Sequence, residues 1–365
     1  MSAVFGEHLR LTVFGQSHGE AVGAVLDGFP AGMAIDMDAV EKQLRRRAPG
    51  RSALSTARRE EDRPEIVSGV LNGVTTGQPL CVLIRNEDAR PGDYGDAVDL
   101  LRPGHADYTG HVRYHGFEDA RGGGSFSGRL TAPLVFAGAL CRQFLASRGV
   151  AVRSHISRLG DLTDDPIGGA EGGLSFLEDM PLPVLRGGLA EEMETAIREA
   201  AEAGDSLGGA VTCRVDGLPA GLGAPFFDSA ESVLSRLLFS IPGVKGVAFG
   251  DGFAFASGRG SGMNDAFCLR DGGIGTVTNH SGGINGGVTN GMPLLFTCAV
   301  RPTPSIAKEQ RTVSLQRMEE TVLSVRGRHD PCILPRVCPV IEAMAAIGLT
   351  ELWLERAERL DGSKK

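Results

Sequence analysis

Residues 102–131 read RPGHADYTGHVRYHGFEDARGGGSFSGRLT and run directly into an apolar segment that ends at Leu145. Three imidazoles (His105, His111, His115) and three guanidiniums (Arg113, Arg121, Arg129) surround the glycines at 122, 123 and 124, and the hydroxyls of Ser125 and Ser127 follow. Glycine lets backbone approach a ligand closely, and successive N–H groups there form a nest for anionic oxygen. Histidine changes charge near neutral pH, which suits proton transfer beside such an anion. A triple glycine alone is most often a solvated turn. The histidines and arginines crowded around this one make it a candidate active site. Behind it, Pro133 and Gly149 bracket a helix in which Leu134, Val135, Ala139, Leu140 and Leu145 recur at helical spacing. That is the pattern of a core helix carrying the glycine loop.

Outward from this centre, residues 9–14 and 22–26 read as strands around the turn Gly15-Gln-Ser-His-Gly19. Asp36 is placed to cap a helix whose apolar face is Val40 and Leu44, and which runs into arginines before Pro49-Gly50 ends it. Residues 66–70 and 79–84 read as strands joined across Asn72-Gly73, and a polar loop over 86–99 leads into the central stretch. On the C-terminal side, residues 161–179 are acidic and glycine-rich and are expected at the surface. Helices are expected over 190–203, packing Met193 and Ile197, and from Asp228 or Ser229, with Val233, Leu234, Leu237 and Leu238 on one face. Residues 210–215 and 294–300 read as strands, and a long helix from Pro339 closes the chain. Strand pairs with glycine turns alternate with single helices twice over. This predicts an α+β domain spanning residues 1–365, with two similar halves joined around residues 161–181.

Composition narrows the function. The 52 glycines are roughly double the usual share of about 7% and come as pairs inside apolar segments, not as a linker or a collagen repeat. No run of about 18 apolar residues stands out as a membrane span, and the N-terminal residues lack a signal-peptide pattern. Seven scattered cysteines without a C-x-x-C point to a reducing, cytoplasmic setting. A net charge of −8 argues against a general nucleic-acid binder. Yet Arg45, Arg46, Arg47, Arg51, Arg58 and Arg59 crowd together, which fits a small polyanionic ligand or, more plainly, a solvated helix end.

Several motifs compete. Gly15-Gln-Ser-His-Gly19 matches the G-x-S-x-G nucleophile elbow, but an elbow needs a helix after it, whereas residues 20–26 look like strand. His18 as a proton donor is preferred over Ser17 as an acyl nucleophile. His111 and His115 stand four apart, the spacing of helical metal ligands, but alternation around Tyr114 and Gly116 favours a strand or loop. Neither a P-loop nor a Rossmann glycine fingerprint is present. Asp330, beside Arg328 in Gly327-Arg-His-Asp-Pro331, is a candidate base, and Thr303 and Ser305 of Arg301-Pro-Thr-Pro-Ser305 are candidate phosphate or ring contacts. The inventory describes a water-poor site for a phosphorylated acid.

Six motifs in this order, GQSHG, RPGHADYT, RGGG with its two serines, SGGINGGVTNG, RPTPSI and GRHDPC, resemble the chorismate synthase family over nearly the whole chain. The resemblance implies a β-α-β sandwich, with helices between antiparallel sheets, assembled as a homotetramer. It implies conversion of 5-enolpyruvylshikimate 3-phosphate to chorismate in the shikimate pathway of aromatic amino acid biosynthesis, by anti 1,4-elimination of phosphate. Reduced FMN is required, and some members use NADPH to reduce it. By resemblance, Arg47, Arg129 and Arg328 bind substrate anions with help from Arg51. His105 donates a proton to the departing phosphate, His18 keeps the flavin protonated, and Asp330 assists removal of the C6 proton. Arg102, Ser125, Phe126, Ser127, Asn264, Gly286, Arg301, Pro302, Thr303, Pro304, Ser305 and Arg328 would line the FMN site; no metal is implied. The chain departs from the family pattern where Arg301 replaces a common lysine and Phe126 a common serine. Two other readings compete: a serine hydrolase using Ser17, and a non-catalytic flavin-binding protein of the same fold.

Overall fold

The computed structural model of the chain describes residues 3–50, 60–87, 99–170, 173–270, 272–325 and 330–362. The first sheet starts with β1 (Val4–Phe5), β2 (Arg10–Gly15) and β3 (Ala21–Asp27). Helix α1 (Met37–Arg47), β4 (Pro64–Ser68), the small hairpin β5 (Val70–Leu71) and β6 (Val74–Thr75), and β7 (Leu80–Arg85) follow. The order is β1-β2-β3-β7-β4, antiparallel throughout. Asp36 caps α1 by accepting from Ala39 N at 3.0 Å. Asn72 and Gly73 both take positive φ and close the β5–β6 turn, so the two longer strands beside it pair as β4 and β7.

Helices α2 (Asp107–Tyr114) and α3 (Thr131–Ala146) lead to the second sheet. It contains β8 (Ala151–Leu159) and β9 (Leu162–Thr163), then, after α4 (Leu189–Glu202), β10 (Gly209–Asp216). Helix α5 (Ala230–Leu238), β11 (Val244–Phe249) and the single turn α6 (Gly260–Met263) come next. Two hairpins, β12 (Phe267–Arg270) with β13 (Gly273–Thr276) and β14 (Ile284–Asn285) with β15 (Val288–Thr289), precede β16 (Leu294–Val300). The sheet order is β11-β16-β10-β8-β9, again antiparallel. A hairpin of β17 (Gln310–Ser314) and β18 (Glu319–Leu323) leads to the closing helix α7 (Leu334–Gly362).

The helices lie between the sheets, the expected α+β sandwich. Helix α3 packs on β3 and β7 on one side and β8 on the other, while α7 runs along α3 and covers β8 and β10. Burial on nearly every side explains why α3 has no polar face. The two helices meet at Gly138, where a Cβ would collide with the backbone of Ala343, so only glycine permits the contact.

Four expectations are corrected. Helix α7 begins at Leu334, ahead of Pro339: burial of Leu334 and Cys338 outweighs the single hydrogen bond that Pro339 cannot donate. By length and composition α7 could span a membrane, but nearly all of that stretch is buried inside the protein. Residues 161–179 are not all surface, since Ile167, Leu174 and Leu177 form a small satellite core and the carboxylates of Asp164 and Glu178 are buried. Their partners hide them: Asp164 accepts from Leu185 N at 2.6 Å and Arg186 N at 2.8 Å. Finally, β8 precedes residue 161 yet belongs to the second sheet, so the sheets part at the turn after α3, not around residues 161–181.

Candidate active site

The central stretch lines a cavity of about 670 Å³, within the roughly 300–1,000 Å³ usual for small-molecule sites. The end of α1, the turn before α3, the segments at 239–245 and 301–304, and the start of α7 supply the other walls. Residues 107–114 are helical, not the strand or loop expected. His115 caps that helix in the left-handed conformation, and His111 turns to Glu118, with Nδ1 3.3 Å from its carboxylate. The glycines at 122, 123 and 124 all have positive φ. The close approach they permit includes a side chain of the protein, because a Cβ on Gly122 would collide with the His18 ring.

Ser17 is fully buried. Its hydroxyl donates to the Arg121 carbonyl at 3.2 Å and lies 3.1 Å from His18 Nδ1. Ser17, itself held by the Arg121 carbonyl, thereby fixes the orientation of the His18 ring. The turn feeds β3 rather than a helix, so the nucleophile-elbow reading of Ser17 fails on both burial and topology.

His105 is built from two distant segments. Its Nε2 lies 2.7 Å from Ser305 Oγ, and Arg301 Nη1 donates to the Gly104 carbonyl at 2.7 Å. Gly104 stands at φ 74, and a Cβ there would strike the Arg301 guanidinium. Arg102 grips Asp107 through Nε at 2.9 Å and Nη2 at 2.7 Å, a bidentate pair that orients the start of α2. Burial pushes the Asp107 carboxyl up, and Arg102 more than reverses it, leaving a lowered pKa.

The arginines meet buried acids. Arg47 Nη2 lies 2.9 Å from Asp62 Oδ2. Arg129 Nη1 pairs with Asp62 Oδ1 and lies 2.7 Å from Glu60 Oε2, while its Nε donates to Asn86 Oδ1 at 2.8 Å. Arg336 donates Nε to the Arg47 carbonyl at 3.0 Å and pairs with Asp330. Burial first, and then the positive neighbours Arg336 and Arg129, lower the Arg47 pKa to about 10, although Asp62 acts in the opposite direction.

The cavity therefore gathers Arg47, Arg102, His105, Phe126, Arg129, Arg301, Thr303 and Asp330, with Ser125, Ser127, Pro302 and Pro304 in its walls. Ser305 joins through His105, and His18 through Gly122. Asn264, in the segment after α6, and Gly286, in the β14–β15 turn, are exposed and outside this cavity. Arg51 and Arg328 lie outside the described residues. Arg46, for which the sequence offered either a ligand face or a solvated helix end, takes neither: it enters the core and pairs with Glu342. Glu60, Asp62 and Arg336 were not singled out from sequence. Acids spaced two apart ahead of a strand were the available signal for the first two. For Arg336 it was a lone charge among Ile333, Leu334 and Val337.

Comparison with known proteins agrees with this architecture. A model of the family described as chorismate synthase matches residues 9–354. A protein named chorismate synthase from Dehalococcoides mccartyi is 45% identical over 355 residues, 97% of each chain. One of the same name from Methanothermobacter thermautotrophicus is 46% identical over 347 residues, 95% of this chain and 92% of its own. A crystal structure of chorismate synthase matches with a TM-score of 0.77 at 29% identity, covering 96% of this chain and 93% of that one. With six motifs, the sandwich and the cavity all in agreement, the chain belongs to the chorismate synthase family.

Proposed function

We propose that this protein eliminates phosphate from 5-enolpyruvylshikimate 3-phosphate to give chorismate, with reduced FMN bound in the same cavity. The observation that carries this reading is the meeting of His105, Asp330, Arg47 and the 301–305 segment around one cavity. The substrate bears a phosphate and two carboxylates, which call for guanidiniums. His105 delivers a proton to the departing phosphate from a ring that Ser305 orients. Asp330, held by Arg336, assists removal of the C6 proton, and His18, with Nδ1 on Ser17, maintains the protonation of the cofactor.

The residues present fit FMN. Thr303 Oγ1 is a buried hydroxyl without a hydrogen-bond partner, and Phe126 offers a half-exposed ring 6.2 Å from that of Tyr114. Ile241, Ile333, Val337 and Val340 add an apolar wall, and Arg301 and Lys245 supply positive charge for a phosphate. Reduced FMN, when bound, lends electron density to the elimination without net redox change. Ser125, Phe126, Ser127, Arg301 and Thr303 are the residues that would hold it.

The same reading carries a cytoplasmic homotetramer. Phe267, Leu269 and Ile274 stand exposed on the β12–β13 hairpin, an apolar surface a second copy would cover, and all seven cysteines are free thiols. The decisive test is anaerobic: mix protein, 5-enolpyruvylshikimate 3-phosphate and dithionite-reduced FMN, and follow chorismate absorbance and released phosphate. Product should require reduced flavin, and an arm with NADPH in place of dithionite reads self-reduction. His105→Ala should lower kcat by about 10²- to 10⁴-fold. Flavin binding without product would leave a non-catalytic flavin protein.

A further inference from the structure

Asp62 lies behind the cavity, and neither the motifs nor the proposed reaction gives it a role. Its backbone stands at φ 51, in the left-handed region that among L residues only Asn, Asp and few others visit. Such backbone strain persists only where the surroundings over-determine it, and it concentrates at functional sites. The side chain is fully shielded from solvent. Oδ1 accepts from Arg129 Nη1, and Oδ2 faces Arg47 Nη2 at 2.9 Å as a charge contact without an aligned hydrogen bond. One carboxylate thus joins guanidiniums from two elements, α1 and the turn before α3.

The two arginines are not equally committed. Arg129 Nη1 faces both Asp62 and Glu60, its Nε is bound to Asn86, and its Nη2 donates to the Arg85 carbonyl at 2.8 Å. Arg47 reaches the Gly128 carbonyl and Thr131 Oγ1 only at 3.4 Å, and its buried Nε has no hydrogen-bond partner. The donors in reserve therefore belong to Arg47, and Asp62 is the carboxylate that anchors it. Without that carboxylate, two adjacent buried guanidiniums repel.

We propose that Asp62 is a positioning residue: from its left-handed backbone position it fixes Arg47 against Arg129 and leaves the uncommitted donors of Arg47 for an anionic group of the ligand. The proposal rests on the anionic-substrate reading above and adds to it the residue that sets the anion site. Asp62→Asn tests it cleanly, because asparagine tolerates the left-handed backbone and keeps the shape while removing the charge. KM for 5-enolpyruvylshikimate 3-phosphate should rise roughly 10- to 100-fold with kcat little changed, the scale of losing one charge-assisted hydrogen bond to the ligand. Asp62→Gly separates charge from backbone: it relaxes φ but also removes the carboxylate, and should raise KM to the same extent. A wild-type KM in Asp62→Gly would overturn the proposal. So would a crystal structure of Asp62→Asn in which both guanidiniums keep their places. That structure needs no ligand, so it decides the positioning role even where the wild-type protein binds no 5-enolpyruvylshikimate 3-phosphate, a result that would break the functional reading instead.

Discussion

Arg46 and Arg47 are consecutive residues of α1, 5% and 2% exposed, and they enter two ionic clusters of different kinds. Consecutive helix positions are about 100° apart, so one side chain turns into the core and the other to the cavity. Arg46 Nη1 meets Glu342 Oε2 at 2.5 Å, and the same carboxylate accepts from Arg142 Nη1 at 3.0 Å and Ser154 Oγ at 2.8 Å. Glu178 closes the network, pairing with Arg142 and lying 3.2 Å from Arg153. Every buried polar atom of these five ion-pairing side chains has a hydrogen-bond partner. In the cavity cluster, Arg47 Nε and the Asp62 Oδ2 that faces Arg47 have none. A saturated network holds α1, α3, α7 and β8 together; an unsaturated one, on the proposal above, keeps donors for a ligand.

If that contrast is right, removing Arg46 has the largest effect on folding. Arg46→Ala leaves Glu342 buried beside Arg142 alone and should destabilise the fold by about 3–5 kcal/mol, the usual result of breaking a buried ion pair. Urea unfolding reads it directly. A loss under about 1 kcal/mol, the scale of a surface pair, would erase the difference between the clusters.

Acid should attack the same core cluster next. Burial pushes the Glu178 carboxyl up, but Arg142, Arg153 and Arg46 together pull its pKa down to about 2 from an ordinary 4.5. A lowered carboxyl pKa means stability that is present above about pH 4.5 and lost as pH falls towards 2. At about 1.4 kcal/mol per pKa unit the loss is roughly 3 kcal/mol. Unfolding midpoints at successive pH values measure it, and Glu178→Gln should flatten that slope. An equal slope in the variant would place the acid-sensitive group elsewhere.

Sequence reading reached the helix caps, most strands and the α+β class because those follow from local chemistry: Asp36 at a cap, Asn72-Gly73 at a turn, alternation in β2 and β16; the sandwich came only with the family resemblance. It reached His105 and the 301–305 segment through motifs, although their contact, from Ser305 Oγ to His105 Nε2, spans 200 positions and leaves no local trace. The two arginine clusters show the limit. A run of Arg45, Arg46 and Arg47 looks uniform in one dimension, and only the packing of α1 against α3 and α7 divides it. Burial of Asp164 and Glu178 was illegible for a related reason, since acidic composition implies solvent unless the distant partner is known.

Arg47 should show the smallest stability change and the sharpest functional one. Burial is the first cause of its lowered pKa, so its charge costs stability in the folded state at any pH below about 10. Arg47→Met keeps most of the side-chain length and removes that cost, while Asp62 retains Arg129 as a partner. The unfolding free energy should therefore stay level or rise by up to about 1 kcal/mol, since the charge removed is one that the folded state disfavours. Arg46 differs: burial lowers its pKa too, but Glu342 outweighs burial and the pKa is raised. On the function proposed above, binding of 5-enolpyruvylshikimate 3-phosphate, followed by titration calorimetry, should weaken strongly in the same variant. Stability and binding would then move in opposite directions, the behaviour of a residue kept for function at the expense of the fold. A loss of several kcal/mol in Arg47→Met would instead make both arginines structural and leave the cavity without its reserve of donors.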